Sequence, residues 1–133
     1  MLNMTTDLLA RHELKNGLIM VFLDHSKKIA ADRWYIHIRV EIRIPVQKKW
    51  FRKEPIDEGQ YQAIQQTLGE EVVFSQKKER NFVSEKVKDQ IVEDICNQAL
   101  RTGHTYCASD TFAARTILKA FGEKRRQHPC HET

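Results

Sequence analysis

From Arg33 to Val46 the chain alternates without a break. Trp34, Ile36, Ile38, Val40, Ile42, Ile44 and Val46 are apolar, and Arg33, Tyr35, His37, Arg39, Glu41, Arg43 and Pro45 stand between them. A period of two is the repeat of a β-strand with one apolar and one polar face. A large apolar side chain contributes about 1.5 to 3 kcal/mol when fully buried, and no other segment offers so many on one face. This strand therefore sets the core face that the rest of the chain must cover. It is long for a strand, so strong twist, a bulge or a projecting end is expected. Pro45 near its end suits an edge position.

Upstream, Asp7 to Leu14 and Leu18 to Asp24 flank Asn16-Gly17, a pair that tolerates the positive φ angles of a two-residue hairpin turn. With Lys15 opposite Leu18, the pairs Leu14/Ile19, His12/Val21 and Ala10/Leu23 are expected on one face. Glu13/Met20 and Arg11/Phe22 fall on the other. The second strand is apolar on both faces, which fits either a strand covered on both sides or an apolar patch, the Leu18, Met20 and Phe22 face, left for a partner. Asp24 to Asp32 reads as the loop that returns the chain into the long strand, completing a meander.

Downstream, Asp57 is placed as an N-cap with Gln60 three residues on, Ile56 can staple to Tyr61, and Gly69 supplies the stop. Val72, Val73 and Phe74 offer a fourth strand, whereas Gln76 to Asn81 has no usable period. Ser84 can cap a second helix with a stripe of Val87, Ile91, Ile95 and Ala99, widened by Val92, Cys96 and Leu100. Gly103 is its expected breaker. Ser109 or Asp110 then caps a third helix whose face is Phe112, Ala113, Ile117, Ala120 and Phe121. The sequence thus predicts an α+β fold, an antiparallel meander of three to four strands followed by helices packed on one face.

At 133 residues, 41% hydrophobic and 30% charged with five Gly and three Pro, the chain fits one globular domain over 1–133, with a charged tail that frays from about 123. The longest apolar run, Gly17 to Leu23, falls far short of the roughly 20 residues of a membrane span. No membrane partner is expected, and the polar N-terminus lacks a signal-peptide layout, so a cytoplasmic location is expected. Cys96, Cys107 and Cys130 are too few and too scattered for a disulfide framework and read as reduced thiols. The net charge of +4 is striped: Lys48, Lys49, Arg52 and Lys53 are followed by Glu54, Asp57, Glu58, Glu70 and Glu71.

The strings Asn16-Gly17-Leu18, Asp24, Ser26, Asp32-Arg33-Trp34 and Lys78-Glu79-Arg80-Asn81-Phe82 resemble a group of small uncharacterised bacterial proteins, over about two-thirds of the chain. That resemblance implies no activity. Asp24-His25-Ser26 after Arg11 is partly similar to the D-x-S and R-x-x-x-R elements of PilZ cyclic-di-GMP receptors. Here Ile29 stands where that family has glycine, Lys15 replaces the second arginine, and only nine residues separate Lys15 from Asp24.

Four constellations remain as candidate sites. Lys48-Lys49-Trp50-Phe51-Arg52-Lys53 combines cations for phosphates with rings for stacking bases, the chemistry of single-stranded nucleic-acid binding. Tyr35, His37, Arg39, Glu41 and Arg43 form a row about 6 to 7 Å apart that could read a charged partner. His25 and Ser26 with Asp24 or Asp32 hold the residue types of a nucleophile and base, although triad members converge from an oriented scaffold rather than from one loop. Cys96, His104, Cys107, His128, Cys130 and His131 include metal-ligating types without a paired C-x-x-C, so no metal and no cofactor is expected. Walker A, dinucleotide and H-E-x-x-H motifs are absent. The reading is a small non-catalytic binding or protein-interaction module with a protein partner or a second copy. Single-stranded nucleic acid through 48–53 is one alternative, and an enzyme with its site near 24–32 is another.

Overall fold

The computed structural model describes residues 7–53 and 55–127. They form a five-stranded antiparallel sheet, β1 (Asp7–Glu13), β2 (Ile19–Asp24), β3 (Lys27–Ala30), β4 (Arg33–Pro45) and β5 (Glu71–Ser84). The helices are α1 (Glu58–Leu68), which lies between β4 and β5, α2 (Lys88–Thr102) and α3 (Phe112–Gln127). This is the expected α+β fold with helices on one face.

The alternating stretch is β4, and it is central rather than at an edge. On one side β5 runs the full length from Arg33↔Ser84 to Pro45↔Glu71. On the other side β2 and β3 lie end to end, β2 against Ile38 to Ile42 and β3 against Arg33 to Tyr35. The stretch read as a loop, Asp24 to Asp32, thus contains a short strand. Its break is bridged by His25 N–H to the His37 carbonyl at 2.8 Å and by His37 N–H to Ser26 Oγ at 3.0 Å. Pro45 is tolerated because β2 pairing stops at Ile42, leaving that end of β4 with β5 alone.

The hairpin register differs by one residue from the expected one. Leu14 N–H bonds to the Leu18 carbonyl at 2.8 Å, so the loop is the three residues Lys15, Asn16 and Gly17, with Gly17 at φ +91°. The pairs become Glu13↔Ile19, His12↔Met20, Arg11↔Val21 and Ala10↔Phe22. The slip moves β1 by one residue against β2, whereas the faces of β2 follow from β4: Met20 and Phe22 pair with the buried Ile42 and Val40 and so enter the core with Leu18, which leaves Ile19, Val21 and Leu23 on the opposite face.

The core gathers Leu18, Met20, Phe22, Val40, Ile42 and Ile44 from the sheet with Ile64 of α1, Ala99 of α2 and Phe112, Ala113 and Ile117 of α3. A smaller cluster joins Ile36 and Ile38 to Ile95. At the start of α1, Asp57 accepts the Gln60 N–H at 2.7 Å and Gln60 returns its side-chain oxygen to the Asp57 N–H at 3.3 Å. Gly69 at φ +82° ends α1 as expected, and Ile56 and Tyr61 are half-buried against the core.

Three further expectations are corrected. β5 continues through Gln76 to Asn81, whose polar residues are held extended by pairing with the free side of β4 rather than by any period of their own. Ser84 closes β5, and the N-cap of α2 is Val87, itself exposed. Gly103 does not stop α2: it is right-handed and opens a π turn, Gly103–Cys107. Its lack of a side chain serves packing instead, since a Cβ there would lie 2.4 Å from Met20 Cε. α3 runs to Gln127, through the start of the tail expected to fray from about 123; 128–133, with Pro129, lie outside the described residues.

Candidate functional site

The sheet face turned away from the helices is not covered by any described element. Its floor follows from the register in cross-strand rows: Leu8, Leu23, Arg39 and Lys77 in one, Arg11, Val21, Glu41 and Ser75 in the next. Glu13 pairs with Ile19, and Arg43 with Val73, at the hairpin end. Aliphatic residues thus occupy β2 while charges occupy β4. Ile19, Val21 and Leu23 are half-buried by their neighbours, whereas Leu8, Leu9 and Val73 are exposed.

At the hairpin end this face deepens into a recess of about 550 Å³. Arg11 contributes from β1, Ile19, Val21 and Leu23 from β2, Glu41 and Arg43 from β4, and Lys49 and Trp50 from the 3-10 turn Lys48–Phe51 that follows. Arg43 is engaged by Glu71 at 2.7 Å. Lys49 rests its ammonium over the Trp50 ring at 4.7 Å.

At the opposite end of the face lie Tyr35, His37 and Arg39 of the expected polar row. The Tyr35 hydroxyl donates to the Glu79 carboxylate, which holds the phenol proton on and lowers the Glu79 carboxyl below its ordinary range. Arg39 donates to Ser75 Oγ at 2.9 Å. The His37 and His25 rings lie tilted against each other with centroids 5.1 Å apart, and Nε2 of each is buried with no hydrogen-bond partner among the described residues. Loss of water around its ring, followed by His25, Arg39 and Lys77, holds the His37 imidazole below its ordinary pKa.

The basic and aromatic hexamer divides. Lys48, Lys49, Arg52 and Lys53 are exposed, but Trp50 and Phe51 are only 9% and 5% exposed, and Trp50 Nε1 donates to the Pro45 carbonyl at 2.7 Å. Both rings serve the core, so neither is open for a base to stack on. Lys48 pairs with Glu58 at 2.6 Å and Lys53 with Asp110 at 3.2 Å. The Glu58 contact raises the Lys48 ammonium and lowers its own carboxyl.

The loop residues do not assemble as a nucleophile and base. Ser26 Oγ is taken by the His37 N–H, Asp24 Oδ1 accepts the Ser26 N–H at 2.8 Å, and Asp32 lies beyond the far end of β3. Among the described residues no three His, Cys, Asp or Glu side chains come together as metal ligands, and His128, Cys130 and His131 lie outside them. Burial raises the Cys96 thiol and pushes Cys107 up to about 11, so neither is a ready thiolate. No described helix is long and apolar enough to cross a membrane.

Reasoning from sequence placed Tyr35, His37 and Arg39 on this face but missed Arg11, Ile19, Val21 and Leu23. The apolar surface it offered a partner, Leu18, Met20 and Phe22, is covered by the chain itself. No signal within β2 tells its two apolar faces apart, because the choice follows from the rows it shares with β4, Met20↔Ile42 and Phe22↔Val40. No family model, curated protein or solved structure matches the chain.

Proposed function

We propose that this protein is a small binding module without catalysis of its own, and that its contact surface is the uncovered sheet face centred on Ile19, Val21 and Leu23. The observation that carries this reading is the uneven use of β2. One of its faces is sealed by three helices, and the other carries three aliphatic side chains flanked by exposed Leu8 with no described element over them. A continuous apolar patch rimmed by charge is the usual mark of an interaction surface. Single-stranded nucleic acid is the less supported partner, because the 48–53 segment keeps its cations on the surface but commits both rings to the core.

The test is native mass spectrometry and light scattering on freshly purified protein beside a Val21→Glu variant. A retained ligand, protein partner or second copy that is lost in the variant, with the circular dichroism spectrum unchanged, is the expected result. A wild-type protein that carries nothing and behaves like the variant overturns the proposal.

A further inference from the structure

The recess at the hairpin end has a composition that narrows what it can hold. Its floor is the aliphatic strip of Ile19, Val21 and Leu23, about 13 Å long at the rise of a strand. The volume of about 550 Å³ lies within the range of small-molecule sites, which are mostly apolar with a few placed polar groups.

The charges around it are unequal in their partners. Arg43 is already neutralised by Glu71. Arg11 makes no side-chain hydrogen bond or ion pair among the described residues, and the Lys49 ammonium meets only the Trp50 ring. Among the described residues Glu41, opposite Val21, is the one acid that lines the recess. Two unpaired cations therefore stand over an apolar strip and outnumber the single carboxylate. Both are already at the solvent boundary, so an arriving anion strips little water from them while gaining charge-assisted hydrogen bonds. The guanidinium of Arg11 suits a planar or tetrahedral oxyanion, because its N–H groups are spaced to meet two oxygens at once.

We infer that this recess binds a small amphipathic anion, with an aliphatic or aromatic body lying along Ile19, Val21 and Leu23 and an oxyanion head held by Arg11 and Lys49. The inference rests on the reading of the uncovered face as the contact surface, and adds to it the class of ligand.

Two fluorescent probes separate the parts of the argument. 8-Anilinonaphthalene-1-sulfonate and N-phenyl-1-naphthylamine share one apolar body and differ by the sulfonate. The sulfonate is expected to saturate one site at least about tenfold more tightly than the neutral probe, as one or two hydrogen bonds to a charged group imply. Replacing Arg11 and Lys49 together with Gln should remove that advantage and leave the neutral probe unchanged. Both substitutions are at exposed positions, so the fold is retained. Methyl shifts of Ile19, Val21 and Leu23 on titration locate the site without any variant.

If both probes bind at those methyls with equal affinity and the double variant alters neither, the apolar surface stands and the anion inference is overturned. Sulfonate binding that leaves those methyls unmoved, or no binding at all, also overturns it. The proposal of a contact surface is then judged separately by native mass spectrometry.

Discussion

The side-chain amide of Asn16 reaches from the β1–β2 turn to the carbonyl of Cys107 at 2.8 Å, and its own oxygen accepts the Leu18 N–H at 3.1 Å. One residue therefore fixes the three-residue loop and ties the hairpin to the π turn between α2 and α3. The hairpin turn, through Asn16 and Gly17, also forms part of the wall of the recess, so its geometry shapes the candidate site.

Asn16→Ala leaves the Cys107 carbonyl and the Leu18 N–H without these partners, and should lower stability by about 1 to 3 kcal/mol. Asn16→Asp keeps the acceptor for Leu18 but sets a carboxylate against the Cys107 carbonyl, so it should be no better than Ala. Urea unfolding of the two variants checks this. An unchanged midpoint for Asn16→Ala would show that solvent replaces both contacts at no cost.

Phe82 is 66% exposed and has φ +59°, a conformation that L side chains rarely adopt. The cause is a bulge in the β4–β5 ladder: between Trp34↔Val83 and Ile36↔Arg80, Tyr35 faces both Asn81 and Phe82. The guanidinium of Arg33 sits 5.6 Å from the Phe82 ring and compensates only in part. Phe82→Gly should therefore be more stable than Phe82→Ala by about 1 kcal/mol, the reverse of the usual order within a strand. Thermal melts of the pair decide it, and an alanine variant equal to or above glycine would be the contrary result.

The pH dependence of stability should carry a mark of His37. Its folded imidazole is held below the ordinary value, while the unfolded chain returns it to about 6.5. Above that pH both states are neutral and the full stability is present. As pH falls below it, the unfolded chain takes up a proton that the folded protein resists, and stability drops until the folded imidazole is also protonated. The slope from this one group cannot exceed about 1.4 kcal/mol per pH unit. Urea midpoints measured from pH 7.5 down to 5 should fall, and His37→Gln should flatten the curve. An NMR titration midpoint for His37 at or above 6.5 would contradict the argument.

Several elements were legible locally. The period of two from Arg33 to Val46 gave the core face of β4, Asp57 with Gln60 gave the start of α1, and Ile91, Ile95 and Ala99 gave the inner stripe of α2. Each signal lies within four residues of itself, so backbone geometry and side-chain alternation decide it without knowledge of the remaining chain. The candidate site was less legible. Its charged half was visible as the polar face of β4, but of the two apolar faces of β2 nothing within the strand told the open one from the covered one, which pairing with β4 decides.

What tertiary structure decided shares one physical reason: each feature depends on a partner far away in sequence. The central place of β4 comes from β5, which returns only after α1, and the extended state of Gln76 to Asn81 comes from the ladder it completes. Gly103 serves packing rather than a helix stop, because Met20 fills the space a Cβ would need. Trp50 turns inward because the Pro45 carbonyl and the core together satisfy both its N–H and its ring, and no pattern within Lys48 to Lys53 records that. By itself the sequence determined the core face of β4, the start of α1, the inner stripe of α2 and which residues are apolar. Which face of β2 stays open was settled by its pairing with β4, because Met20 and Phe22 share a row with the buried Ile42 and Val40 that the helices cover and alternation leaves Ile19, Val21 and Leu23 on the other side.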